Sequence, residues 1–257
     1  MKEPPRIPRR DPSQLPGVLR PPNDALKPGS LPALLVVLTI TTGLIDAVSV
    51  LGLGRVFTAN MTGNIVFLGF ALARVPEFSA RRSLAALAAF LIGAVIGGRL
   101  GTRLDHSRQR WLLSVAVIES SLLFAAALAA SGYDSGALAP IARLYALIAL
   151  TALAMGIRNA TARRLAVPDL TTTVLTLTLA GLAADSWLAG GSNPRWVRRL
   201  ASVAAMLGGA VVGGLLVLRG GGGLGLPLVL TGAITLIATL VYVAFAERGV
   251  PDGVAHR

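Results

Sequence analysis

Seven residues lie inside or beside apolar sequence yet carry polar or unusually small side chains: Asp46, Asn60, Thr62, Gly63, Asn64, Arg158 and Asn159. A charged side chain in hydrocarbon costs at least about 2.5–3.5 kcal/mol on insertion scales, so each needs a partner, a wet cavity or a function. Asp46 has the chemistry to bind a cation or carry a proton, or to form a structural pair with Arg158. Asn60, Thr62 and Asn64 offer carbonyl and hydroxyl oxygens that can coordinate an ion or a polar solute. Gly63 between them allows close backbone approach. The same groups can instead hydrogen-bond neighbouring helices. Arg158 with Asn159 can hold an anionic group or gate a site, and could meet Asp46. Glu119, beside Ser120 and Ser121, is the deepest carboxylate in the apolar sequence and joins Asp46 as a candidate for proton coupling. Arg163 and Arg164 read as a cytoplasmic positive patch.

Other chemistries find little material. Cysteine is absent, and His106 and His256 are the only histidines, both in polar sequence. That excludes a disulfide framework, a thiolate site and a histidine cluster. There is no nucleophile–base pair and no set of metal ligands. The glycine run 220–223 lacks the Lys-Ser/Thr and the preceding strand of a phosphate loop. We therefore expect no catalytic residue, no metal, no cofactor and no enzyme. The formal net charge is +12. A basic balance often signals nucleic acid. Here most arginines sit in short patches between apolar runs, as the positive-inside rule produces, so no nucleic-acid partner is expected.

These residues must be positioned by membrane helices. The 257 residues are 54% hydrophobic and only 14% charged, with a mean hydropathy of +0.69. Soluble domains carry about 25% charged residues. Eight apolar segments can be drawn, near 31–53, 56–75, 84–104, 111–130, 139–157, 171–189, 200–218 and 226–246. They predict an all-α, polytopic protein in a lipid bilayer. Arg158 and Asn159 close the fifth segment as drawn. The second and sixth segments are interrupted by polar residues. Either they are short or re-entrant, leaving six spans, or all eight cross. With a cytoplasmic N-terminus, six spans put about 18 Lys and Arg inside and 6 outside, whereas eight give about 15 and 9. The positive-inside rule favours six.

The chain also repeats itself. Gly43-Leu44-Ile45-Asp46-Ala47 corresponds to Gly156-Ile157-Arg158-Asn159-Ala160 at an offset of 113, which also sets Thr58 on Thr171 and Met61 on Val174. Residues 82–98 match 198–214 at an offset of 116, with about two-thirds of positions identical. This predicts a first membrane repeat at 31–135 and a second at 136–248. With three spans each, the halves are inverted, a common build of secondary transporters. The glycines at 93, 97, 98, 209, 213 and 214 form small-residue stripes suited to close packing. Residues 1–30 are rich in proline and arginine, lack the apolar stretch of a signal peptide, and read as a disordered cytoplasmic tail. Residues 249–257 are a short C-terminal tail.

The string Gly43-Leu44-Ile45-Asp46-Ala47, followed by Val56-Phe57-Thr58-Ala59-Asn60-Met61-Thr62-Gly63-Asn64, resembles the bacterial YoaK-like membrane proteins, the DUF1275 family. The likeness runs from Leu31 to Ala246. In the second half it rests on Gly156-Ile157-Arg158-Asn159-Ala160 with Arg163 and Arg164. Family members repeat a Thr-Gly pair there, where this chain has Leu175 and Thr176. The resemblance implies a six-span protein of the bacterial inner membrane, and no particular substrate. In that setting the glycosylation sequons at Asn60 and Asn159 are accidental. Two functions fit: a transporter or permease for a small polar or ionic solute, or a non-transporting module that assembles or senses. The sequence leaves substrate and oligomeric state open.

Overall fold

The computed structural model describes residues 30–104, 106–167, 175–193, 195–220 and 223–248. The N-terminal tail, the C-terminal tail, and Thr171 and Val174 with their repeat correspondence lie outside the described residues. Eight α-helices follow one another: α1 Leu31–Gly52, α2 Met61–Leu72, α3 Ala80–Arg103, α4 Arg108–Ala129, α5 Ile141–Leu165, α6 Thr176–Ala184, α7 Trp196–Arg219 and α8 Gly225–Arg248. Six of these, α1, α3, α4, α5, α7 and α8, are long and apolar enough to cross a membrane. At 1.5 Å per residue, α2 and α6 reach only about 18 and 14 Å, short of the ~30 Å hydrocarbon core. Among the described residues six helices, not eight, are long enough to span.

Local sequence sets the helix starts. Ser30, Ser79 and Ser107 precede α1, α3 and α4, and each side-chain oxygen accepts an N–H of the first turn, replacing a bond that the helix itself cannot make. The expected end of the fifth segment at residue 157 is corrected. Helix α5 runs on to Leu165 and stops where Ala166 turns left-handed. Residues 158–165 contain no breaker, and Arg163 and Arg164 suit the negative end of a helix. Arg158 and Asn159 therefore stand two turns inside the helix instead of closing it.

Helices α1 and α5 are the most enclosed of the six spans. Helix α1 packs along α7, and α5 along α3. Both pairs touch backbone to backbone. A β-carbon at Gly43 would strike the Met206 carbonyl, and one at Gly209 the Ile40 carbonyl. The other pair has the same form: Gly156 faces the Phe90 carbonyl, and Gly93 faces that of Leu153. Only glycine permits this approach, as at small-residue membrane interfaces. Not every glycine of the two stripes takes part. A β-carbon at Gly98 would meet nothing within 4 Å, and one at Gly214 would meet only Leu51, at 3.8 Å. Helices α4 and α8 pack against each other and cover the other sides of α5 and α1.

The two ends of the bundle differ. At one end Leu34, Leu112 and Tyr242 cluster with Leu165, and the Arg164 guanidinium lies 5.8 Å from the Trp111 ring. That end gathers the starts of α1 and α4 and the finishes of α5 and α8. At the other end the Tyr133 hydroxyl donates to the Gly52 carbonyl at 2.9 Å, satisfying one of the last carbonyls of α1. Around the outside, Leu91, Ile92, Val95, Leu207, Val211 and Ile237 are among the large apolar side chains left exposed. So much exposed apolar surface fits acyl chains, not water.

Two measurements check this architecture. Single cysteines at the exposed positions Pro76 and His106, at opposite ends of α3, should label from opposite sides of the membrane. Alanine at Gly43, Gly93, Gly156 or Gly209 should each cost about 1–3 kcal/mol by overpacking, seen as a lower unfolding midpoint in detergent. Alanine at Gly98 should not lower it.

Candidate functional site

Arg158 is the largest fully buried side chain among the described residues. It projects from α5 into the space where α1, α4 and α8 converge. Its Nη1 donates to the Leu38 carbonyl at 3.1 Å, to Thr41 Oγ1 at 2.8 Å and to Thr42 Oγ1 at 3.0 Å. Both threonine hydroxyls donate in turn to the Leu38 carbonyl, each at 2.9 Å. Their protons are thus committed to their own helix, and their lone pairs face the guanidinium.

On the other side, Arg158 Nη2 donates to Thr235 Oγ1 at 2.9 Å and forms an ion pair with Glu119. Thr235 also hydrogen-bonds Glu119. One step along α4, the Ser120 hydroxyl donates to the Gly232 carbonyl of α8 at 2.8 Å. The Arg158 Nε has no hydrogen-bond partner among the described residues. Beside the pair lies a cavity of about 20 Å³, walled by Leu34, Leu38 and Leu112 toward the end where α1 and α4 begin. That is room for about one water molecule.

Of the alternatives weighed for Asp46, a pair with Arg158 is not formed: the carboxylate that meets Arg158 is Glu119. Arg158 bonds α1 one turn before Asp46, at residues 38, 41 and 42, and its second nitrogen turns toward α4. Asp46 is buried elsewhere on α1 and accepts the Ala59 amide. Between Gly52 and Ala59 the chain therefore doubles back along α1 by about four residues' rise or more, roughly 6–9 Å. Val56, Thr58 and Ala59 are all buried.

The motif residues build that re-entrant loop. Asn64 Oδ1 accepts the Phe57 amide at 2.9 Å, and its Nδ2 donates to the Phe57 carbonyl at 2.5 Å. Asn60 caps α2 by accepting the Gly63 amide at 3.3 Å. A side chain at Gly63 would collide with the Phe57 ring, which stacks on Phe67 with centroids 5.4 Å apart. Thr62 is exposed. Asn159 donates to the Met155 carbonyl of its own helix at 2.9 Å. Of the seven residues singled out in the sequence, the structure thus brings only Arg158 to the central network, together with Glu119. It gathers Asn60, Gly63 and Asn64 around the loop over Asp46.

Sequence reasoning passed over Thr41 and Thr42. Their signal was a pair of hydroxyls within an apolar run, which looks the same whether the hydroxyl serves its own helix or a neighbour. It also passed over Arg199. That buried side chain holds α6 to α7 by donating to the Gly181 carbonyl at 2.5 Å and pairing with Asp185 at 2.7 Å. No group of three or more His, Cys, Asp or Glu that could hold a metal occurs among the described residues.

Six apolar spans and an outer face rich in exposed apolar side chains define a multi-pass integral membrane protein. The chain belongs to the DUF1275 family, described as proteins of unknown function, whose profile matches residues 34–240. It is similar to the UPF0700 transmembrane protein YoaK of Bacillus subtilis (strain 168). The two are 37% identical over 153 residues, which cover 59% of this chain and 65% of that protein. The chain thus spans just under two-thirds of this relative. No solved structure matches.

Removing one member of a buried ion pair costs about 3–5 kcal/mol, whereas replacing both with apolar residues can be neutral. Arg158→Leu alone should therefore sharply lower the unfolding midpoint in detergent. The double variant Arg158→Leu/Glu119→Leu should recover most of the loss.

Proposed function

We propose that this protein moves a small polar or ionic solute across the bacterial inner membrane, and that the solute carries a negative charge that binds Arg158. The observation that carries the reading is the Arg158–Glu119 pair, buried at the convergence of four helices beside a small cavity. A charge pair so enclosed is costly for stability alone. It suits a site whose internal counter-ion gives way to a ligand. In this mechanism Glu119 takes up a proton and releases Arg158, whose planar fork then grips the anionic group. Proton and anion cross together. The protein thus acts as a carrier and catalyses no reaction.

The two-half organisation supports the same reading. The α1–α7 and α5–α3 contacts are made by residues at matching positions of the two sequence repeats, and residues 119 and 235, themselves matching positions, both bond Arg158. We read the halves as inverted repeats around an axis near this pair. The cytoplasmic end is the one carrying Arg103, Arg108, Arg110, Arg163 and Arg164. The start of α1, and with it the N-terminus, belongs to that side.

Proteoliposomes holding the full chain test the reading. Radiolabelled small carboxylates, amino acids, phosphate and halides would be offered with and without an inward proton gradient. At least one should enter saturably, and more strongly with the gradient. Arg158→Lys gives up the two-nitrogen fork, and one lost charge-assisted hydrogen bond is worth about 1.5–3 kcal/mol, roughly ten- to a hundredfold in uptake. Glu119→Gln should keep exchange of the solute but lose the response to the gradient. Saturable uptake that is unchanged in Arg158→Lys, or no uptake above empty liposomes for any of these anions, overturns the proposal.

A further inference from the structure

A second buried site lies one turn along α1 from the central network. Asp46 Oδ1 and Thr58 Oγ1 are both buried oxygens without a hydrogen-bond partner. They belong to different elements, α1 and the re-entrant loop. The loop ties them together in space, because the amide that the Asp46 carboxylate accepts is that of Ala59, the residue after Thr58. Thr58 is fully buried, and Asp46 is 8% exposed. An unmatched polar atom in such a place is destabilising. Two such oxygens, on segments that the Asp46–Ala59 contact brings together, point to a missing third body.

Its chemistry follows from the oxygens. A proton on Asp46 Oδ1 would answer only that one of the two oxygens. It would leave Thr58 unserved. A cation takes both oxygens at once. The ligand set is all oxygen and carries one negative charge, so it matches a small monovalent ion. Calcium sites draw on six to eight oxygens, commonly from several carboxylates. Non-helical backbone next to a helix end supplies further carbonyls, as at the ion sites of broken-helix transporters. The stretch 53–60 after α1 is such backbone, and Asn64 and Asn60 fix its shape through Phe57 and Gly63.

We propose that Asp46 and Thr58, with carbonyls of the loop between α1 and α2, form a sodium-ion site. The site does not depend on the transport reading, because binding is measured directly on the protein at rest.

The purified full chain in detergent would be unfolded thermally in lithium, sodium, potassium and choline chloride at equal ionic strength. Binding of radioactive sodium ion would be measured alongside. Sodium at ten times its Kd should raise the midpoint by roughly 3–5 °C over choline. Asp46→Asn should abolish both the shift and the binding. Thr58→Val keeps the carboxylate and should weaken both. It also guards against an Asp46→Asn variant that fails to fold. The proposal is overturned by equal midpoints in all four salts with no sodium bound. It is equally overturned by a sodium effect that survives both substitutions, which would place the ion elsewhere. Stabilisation by acid alone, removed in Asp46→Asn, would assign a proton instead and reject the ion.

Discussion

The guanidinium of Arg158 has no bulk solvent to fall back on. In hydrocarbon its N–H groups can be answered only by oxygens within the protein; those on Nη1 and Nη2 are answered, while Nε has no partner among the described residues. Those oxygens come from three other helices: Leu38, Thr41 and Thr42 on α1, Glu119 on α4, and Thr235 on α8. Four helices must therefore converge to within a side chain's length of one another. That convergence explains why α1 and α5 are the enclosed helices and why their other flanks must be sealed closely. The seal is made by α7 against α1 and α3 against α5, where glycine lets main chain rest on main chain.

A buried charge pair and an all-glycine contact solve opposite problems. The pair is polar, directional and costly to desolvate. It is maintained only because Thr41, Thr42 and Thr235 complete the hydrogen bonding around it. The glycine contacts are apolar and depend on fit alone. Water would not separate these functions so cleanly, since it competes for polar groups and rewards apolar burial of any kind. In a bilayer, burying an apolar side chain gains little, and packing and hydrogen bonds must fix the arrangement. The exposed leucines, isoleucines and valines of α3, α7 and α8 accordingly face outward at no penalty.

The re-entrant loop shows how the polar groups of a short motif can serve its own backbone. Asn60, Gly63 and Asn64 stood out in the sequence as groups able to coordinate a solute. In the structure their polar atoms bond the backbone of the loop itself, and the result is a buried Ala59 amide delivered to Asp46. An asparagine that holds a loop and one that holds a solute need the same chemistry. Spacing alone does not distinguish them, because the partner of a side chain seven residues away depends on where the chain turns.

Composition and run length determined that this chain is a helical membrane protein. Loop charge favoured six spans over eight, and the helix lengths then showed that the second and sixth helices are short, because reach is set by rise per residue against bilayer thickness. The family likeness, too, was carried by a contiguous string. Which carboxylate answers Arg158 was decided only in three dimensions. Asp46 and Glu119 are both acids in apolar sequence, and nothing local ranks them as partners. Their roles separated when α5 continued past residue 157 and buried Arg158 between α4 and α1, while the loop folded back onto Asp46. Ion pairs and shared hydrogen bonds join residues far apart in sequence, and the directions of side chains across helix interfaces exist only once the helices have packed.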